Sequence, residues 1–162
     1  MLKIGCCVSH RSRGASAVEF ALIMPLFFLL LFGIVDFGWY FFNQHTIQYA
    51  TREGARLALV GRSLQNPDGS NMSREASIIK TIKDNAAVAL NPAALKIRIY
   101  PVGAGYSDPA NWDTTINPGA GGDYMRVRVI YDYNFLTPMI GKFVPSGVKE
   151  MRAEALYRNE NF

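Results

Sequence analysis

The sequence predicts an α+β fold, in which a long N-terminal helix crosses a membrane and continues into a domain with a second helix and a small antiparallel sheet of about three strands. Three observations predict it. Residues 20–42 are almost wholly apolar. Residues 44–60, and a second segment opening at Ser73, repeat apolar side chains at helical spacing. Three later runs alternate apolar with polar residues, as strands do when one face is buried. The chain divides into a basic leader, 1–14, a membrane helix, 15–42, and a domain beyond the membrane, 43–162.

A chain of 162 residues can bury one modest core. Its 49% hydrophobic content is uneven, concentrated in residues 15–42. The formal charge of +4 is concentrated too: Lys3, Arg11 and Arg13 precede residue 15 with no acid among them, and their removal leaves about +1. Nothing in that balance suits a phosphate backbone, so nucleic acid is not expected as a partner. Both cysteines, Cys6 and Cys7, also lie in the leader, which excludes a disulfide framework, a cysteine metal site or a thiol nucleophile from residues 15–162. A lipoprotein signal needs an apolar stretch ahead of its cysteine, and Gly5-Cys6 has only a few residues before it.

The apolar run of about 23 residues spans roughly 34 Å at about 1.5 Å per residue, enough to cross a bilayer. Basic residues precede it and the large polar portion follows, which puts the leader in the cytoplasm and the domain outside. Trp39, Tyr40, Phe41 and Phe42 then form an aromatic belt at the outer interface. A cleaved secretory signal is the competing reading, but the run is too long for one and lacks a small-x-small exit, so the helix is expected to stay. Glu19 stands at the front of the span, where a carboxylate costs about 2.5–3.5 kcal/mol unless it has a partner. The bland reading is an acid at the membrane edge, neutralised near Arg11 or Arg13. Asp36 lies near the outer boundary and is expected to be solvated there.

Residues 11–20 read Arg-Ser-Arg-Gly-Ala-Ser-Ala-Val-Glu-Phe, with the glutamate fifth after the glycine. This arrangement resembles the precursor signature of type IV pilins. The resemblance implies a cut by prepilin peptidase between Gly14 and Ala15, and assembly roles for Glu19 and Phe20, the glutamate pairing with the terminal amine of a neighbouring subunit. Pro25, the run Phe32-Gly33-Ile34-Val35-Asp36-Phe37-Gly38, and Arg52-Glu53-Gly54-Ala55-Arg56 follow in order. Together they resemble the TadE-like pseudopilins of the tight-adherence (Flp, type IVc) pilus, over residues 14 to about 61. The resemblance implies a minor pilin or pseudopilin with a pilin-like outer domain, anchored in the bacterial inner membrane with its N-terminus cytoplasmic. Pro25, Gly33, Asp36, Trp39 and Tyr40 are then its transmembrane interface, and Arg52, Glu53, Gly54, Ala55 and Arg56 a family motif. The implied partners are other pilin or pseudopilin subunits, prepilin peptidase, the inner-membrane assembly platform and lipid, with no cofactor, no metal and no enzymatic reaction. Two alternatives stand beside this reading: an uncleaved single-pass component of the secretion platform, and a membrane-anchored enzyme or ligand-binding module using the 101–123 loop.

Beyond the membrane, Ile47, Ala50, Gly54, Leu57 and Gly61 share one side of the continuing helix. Ala50, Gly54 and Ala58 are small enough to let another element approach closely, as a pilin-like sheet does, although ordinary helix packing predicts the same contacts. Gly61 stops the helix, and Asn66-Pro67-Asp68-Gly69 turns the chain. The second helix, capped by Ser73, buries Ile78, Ile79, Ile82, Ala86 and Leu90 before Asn91-Pro92 ends it. Strands follow at Leu95, Ile97 and Ile99, alternating with Lys96, Arg98 and Tyr100 on a wet face; at 124–133; and at 151–158, where a helix is the competing reading. Residues 101–122 form a Gly-, Pro-, Asn- and Asp-rich loop, and 135–145 an apolar connection whose exposed part is a candidate docking surface.

Chemistry is sparse. His45 reads as an interfacial polar residue rather than a ligand or base. The glycine-rich 117–122 lacks the Lys-Ser/Thr ending of a phosphate loop. Asp108, Asp113 and Asp123 do not match an EF-hand and read as a solvated loop. Residues 68–72 lack the second serine of the metal motif in larger related proteins, and Asn71-Met72-Ser73 is only a formal glycosylation sequon. Tyr106, Trp112, Tyr124, Phe135, Met139, Phe143 and Phe162 are expected mostly in the core.

Overall fold

One helix, α1 (Arg11–Leu59), carries both halves of the molecule in the computed structural model, which describes residues 11–142 and 144–161. Pro25 lies inside it without ending it. The first half of α1 is bare. From Asp36 onward one stripe turns inward, with Asp36, Asn43, Ile47, Ala50, Gly54 and Ala58 buried at the three- and four-residue spacing of a helix packed along one side. Gly61, at φ 65°, donates its N–H to the Ala58 carbonyl and ends the helix. Asn66 and Ser70 then close a turn around Gly69, whose φ of 83° suits only glycine without strain.

The second helix, α2 (Arg74–Ala86), is capped by Ser73, whose hydroxyl accepts the Ala76 N–H. Its buried residues are Ser77, Ile78, Ile82 and Ala86. It packs against α1, and of the two readings of the small residues helix packing holds: the element that comes closest at Gly54 is α2, not the sheet. A β-carbon on Gly54 would lie 2.8 Å from Ile82 Cδ1 and closer still to its Cγ1.

Three strands, β1 (Lys96–Pro101), β2 (Tyr124–Asn134) and β3 (Val148–Arg158), form an antiparallel meander in chain order. Ile99 pairs with Val127, and Val127 with Ala155, so odd-numbered residues share the face that meets the helices. Ile97, Ile99, Met125, Val127, Val129, Ala153 and Tyr157 join Ile47, Ala50, Ile78 and Ile82 in one core. The expected α+β fold of a long helix, a second helix and a three-stranded antiparallel sheet is thus present, and β3 is a strand rather than a helix.

The even-numbered face is not simply wet. Tyr100 is fully buried and Arg128 is 4% exposed, because the 101–122 loop folds back over them. Arg128 lies over the Trp112 ring at 4.3 Å, donates to Asp108 Oδ2 at 2.7 Å, and reaches Glu154 Oε1 at 2.7 Å. Arg126 pairs with Asp108 too, and the Tyr100 hydroxyl donates to it at 3.0 Å. Asp108 is therefore a latch between loop and sheet, not a solvated loop residue. The loop also covers the free edge of β1, where Asn117 donates to the Ile99 carbonyl at 2.7 Å. By contrast, Tyr106 and Tyr124 are half exposed, packed edge to face against each other outside the core. Phe143 and Phe162 lie outside the described residues.

Burial pushes Tyr157, and burial with the Asp108 hydrogen bond pushes Tyr100, up to about 12. Burial alone would raise Asp108, but hydrogen bonds from Arg128 and Tyr100 and the charges of Arg128 and Arg126 outweigh it and hold the carboxyl below its usual range. A carboxylate with a lowered folded pKa adds stability above its unfolded value, about 3.9, and loses it as pH falls through the folded one. Asp108→Asn should therefore cost about 1–2 kcal/mol at neutral pH. Its melting temperature should fall less steeply than the wild type's between about pH 4 and pH 2, which thermal melts across that range check.

Candidate functional site

Two features of α1 stand out. The first is exposure. Between residues 14 and 35 every residue is exposed except Gly33, which is partly covered. Phe20 is 62% and Leu22 is 73% exposed. The helix is long and apolar enough to cross a membrane, and none of residues 14–35 is buried against the rest of the chain. Such a surface is unfavourable in water at about 25 cal/mol per Å², so it calls for lipid or other helices. Gly14, Ala15 and Glu19 lie on this bare helix, and a β-carbon at Gly14 would meet nothing within 4 Å. The leader expected at 1–14, with Lys3, Cys6 and Cys7, lies largely outside the described residues.

The second is a collar where the bare half meets the domain. Here the expectation of a solvated Asp36 fails: it is fully buried. The Leu136 N–H donates to Asp36 Oδ1 at 3.0 Å, the Thr137 N–H to Oδ2 at 3.1 Å, and the Thr137 hydroxyl to Oδ2 as well. The connection between β2 and β3, which contains the short helix α3 (Pro138–Gly141), is thereby tied to α1. One turn away on either side, packing continues the junction. Ile140 is buried, and its Cδ1 would stand 4.0 Å from a β-carbon at Gly33. Tyr40 stacks with Phe135 at 6.3 Å and meets Tyr133 edge to face at 5.5 Å, while Phe37 meets Phe135 at 6.4 Å. Tyr40 thus turns toward the domain. Trp39 and Phe42 remain 42% and 45% exposed, packed on each other at 5.5 Å.

The collar gathers Gly33, Asp36 and Tyr40 and leaves Pro25 and Trp39 outside it. Sequence reasoning missed Leu136 and Thr137. The signal was available in principle: a carboxyl group inside an apolar stretch needs donors, and an apolar connection interrupted by Thr-Pro has backbone N–H groups to offer.

The motif at 52–56 splits by chemistry. Gly54 and Ala55 are buried, and Arg52 and Arg56 are exposed. Glu53 lies 4.0 Å from Arg56 and shares with Arg62, Leu64 and Thr81 the wall of an open cleft. The small residues serve packing, and the charged ones face outward. His45 is exposed. Asp113 offers its carbonyl to Arg98, and Asp123 accepts from the Ala120 N–H at 2.8 Å. Asp68 accepts from the Ser70 N–H and hydroxyl, which hold it below its usual range. Among the described residues no group of three or more His, Cys, Asp or Glu side chains is placed to hold a metal.

No curated protein and no solved structure matches the chain. Residues 14–56 match the family model described as TadE-like protein. That match begins at Gly14 and ends at Arg56, and so takes in the bare half of α1, the helix side of the collar and the motif against α2. Over residues 14–56 the chain is thus similar to TadE-like proteins, and the apolar helix within that segment is long enough to cross a membrane.

Proposed function

We propose that this protein is a minor pilin or pseudopilin of the tight-adherence pilus, processed after Gly14 and acting in assembly, initiation or the tip complex. The observation that carries the reading is the bare helix: its first half is presented on all sides, ready to pack with other apolar helices in lipid and then in a filament. Ala15 becomes the new N-terminus and Glu19 the one acid in the first part of the span. Paired with the amine of a neighbouring subunit, Glu19 sets the register between helices, a role better attested for buried ion pairs than net stabilisation. The domain beyond the collar selects neighbours, which include other pilins and the inner-membrane assembly platform. No covalent chemistry is performed, and the N-terminus faces the cytoplasm.

The test is co-expression of the full chain with and without prepilin peptidase, followed by intact mass and by co-purification with the other pilins. With the peptidase, the mass falls by that of residues 1–14 and nothing more. Glu19→Ala is still cut but is lost from pilin complexes. A chain that keeps Met1 in the presence of active peptidase, or a Glu19→Ala variant that assembles as well as wild type, overturns the proposal.

A further inference from the structure

We propose that the connection between β2 and β3 is a second membrane contact, inserted into the outer lipid interface beside α1. The inference rests on the reading of residues 20–42 as the membrane span. The connection is fastened to Gly33, Asp36, Phe37 and Tyr40, all inside that span. At about 1.5 Å per residue, Asp36 lies roughly 9 Å and Gly33 roughly 14 Å along the helix from residue 42. Whatever packs there shares the depth of the outer leaflet, where interfacial elements bury their apolar faces by about 5–10 Å.

The chemistry of the connection fits that depth. Residues 135–145 read Phe-Leu-Thr-Pro-Met-Ile-Gly-Lys-Phe-Val-Pro, with Lys142 the only charge. A loop held in water is usually polar, yet Leu136 here is 58% exposed. Irregular backbone at membrane depth must have its N–H groups satisfied within the protein. The N–H groups of Leu136 and Thr137 are satisfied, and by Asp36, whose own carboxyl group is the costliest to leave in lipid. Each thus removes the other's penalty. Lys142, exposed, has a stem long enough to bring its ammonium to the headgroups.

The test places one cysteine at a time in the full chain with Cys6 and Cys7 changed to serine, labels it with an environment-sensitive fluorophore, and reconstitutes the protein in phosphatidylcholine–phosphatidylglycerol vesicles. The positions are Leu136→Cys, Phe28→Cys in the span, and Val88→Cys, which is 76% exposed in the domain. Expected is quenching of the Leu136 probe by nitroxide lipids, as at Phe28, and iodide quenching at least roughly fivefold weaker than at Val88. A Leu136 probe that behaves like Val88 while Phe28 is lipid-quenched overturns this inference and leaves the span intact. A Phe28 probe open to iodide overturns both.

Discussion

Gly54→Leu is expected to abolish cooperative folding of the domain. A β-carbon there would stand 2.8 Å from Ile82 Cδ1 and 3.6 Å from Ile78 Cγ2, and both isoleucines are fully buried, so neither can swing out to make room. Even Gly54→Ala overpacks the contact, at about 1–3 kcal/mol, against which the better helix propensity of alanine returns about 1 kcal/mol. Leucine adds three more carbons to the same closed space. The helices would have to separate along their whole contact, and that is comparable with the roughly 5–15 kcal/mol by which a domain is stable. Thermal melts of the full chain in detergent, followed by circular dichroism, should show a lowered transition for Gly54→Ala and none for Gly54→Leu. Ile82→Ala should cost less in the Gly54→Ala background than in the wild type, since there it also removes the atoms in the way.

That contact also marks where the sequence was legible and where it was not. Small residues at 50, 54 and 58 announced a close approach, but spacing along one helix carries no information about which element arrives, and the answer was α2. The alternation in β2 and β3 showed correctly which residues share a face, because the strand period is fixed by covalent geometry. It could not show that the opposite face is roofed. Trp112 and Asp108 reach Arg128 across a loop of no regular period, and only the fold brings them together. The same holds for Asp36, whose donors lie a hundred residues away in the chain.

Asp36→Leu is the second large effect. The substitution keeps a branched side chain of similar reach but makes it apolar, and so leaves the Leu136 and Thr137 N–H groups and the Thr137 hydroxyl without the acceptor they share. Hydrogen bonds to a carboxyl group and the penalty for stranding buried donors together amount to about 2–4 kcal/mol. The loss is local. Ile140 on Gly33 and Phe135 on Tyr40 still hold the connection weakly, while the core of β2, β3 and the two helices is untouched. Asp36→Asn, which keeps one acceptor oxygen, should fall between the two.

Hydrogen exchange at the amides of Leu136 and Thr137, in the full chain reconstituted in lipid, tests most directly whether Asp36 ties the membrane helix to the domain. Wild type should show both amides protected, and Asp36→Leu should speed their exchange by roughly 30- to 700-fold with the amides of β2 unchanged. Amides at 136 and 137 that already exchange freely in the wild type, or that are equally protected in Asp36→Leu, would contradict the account.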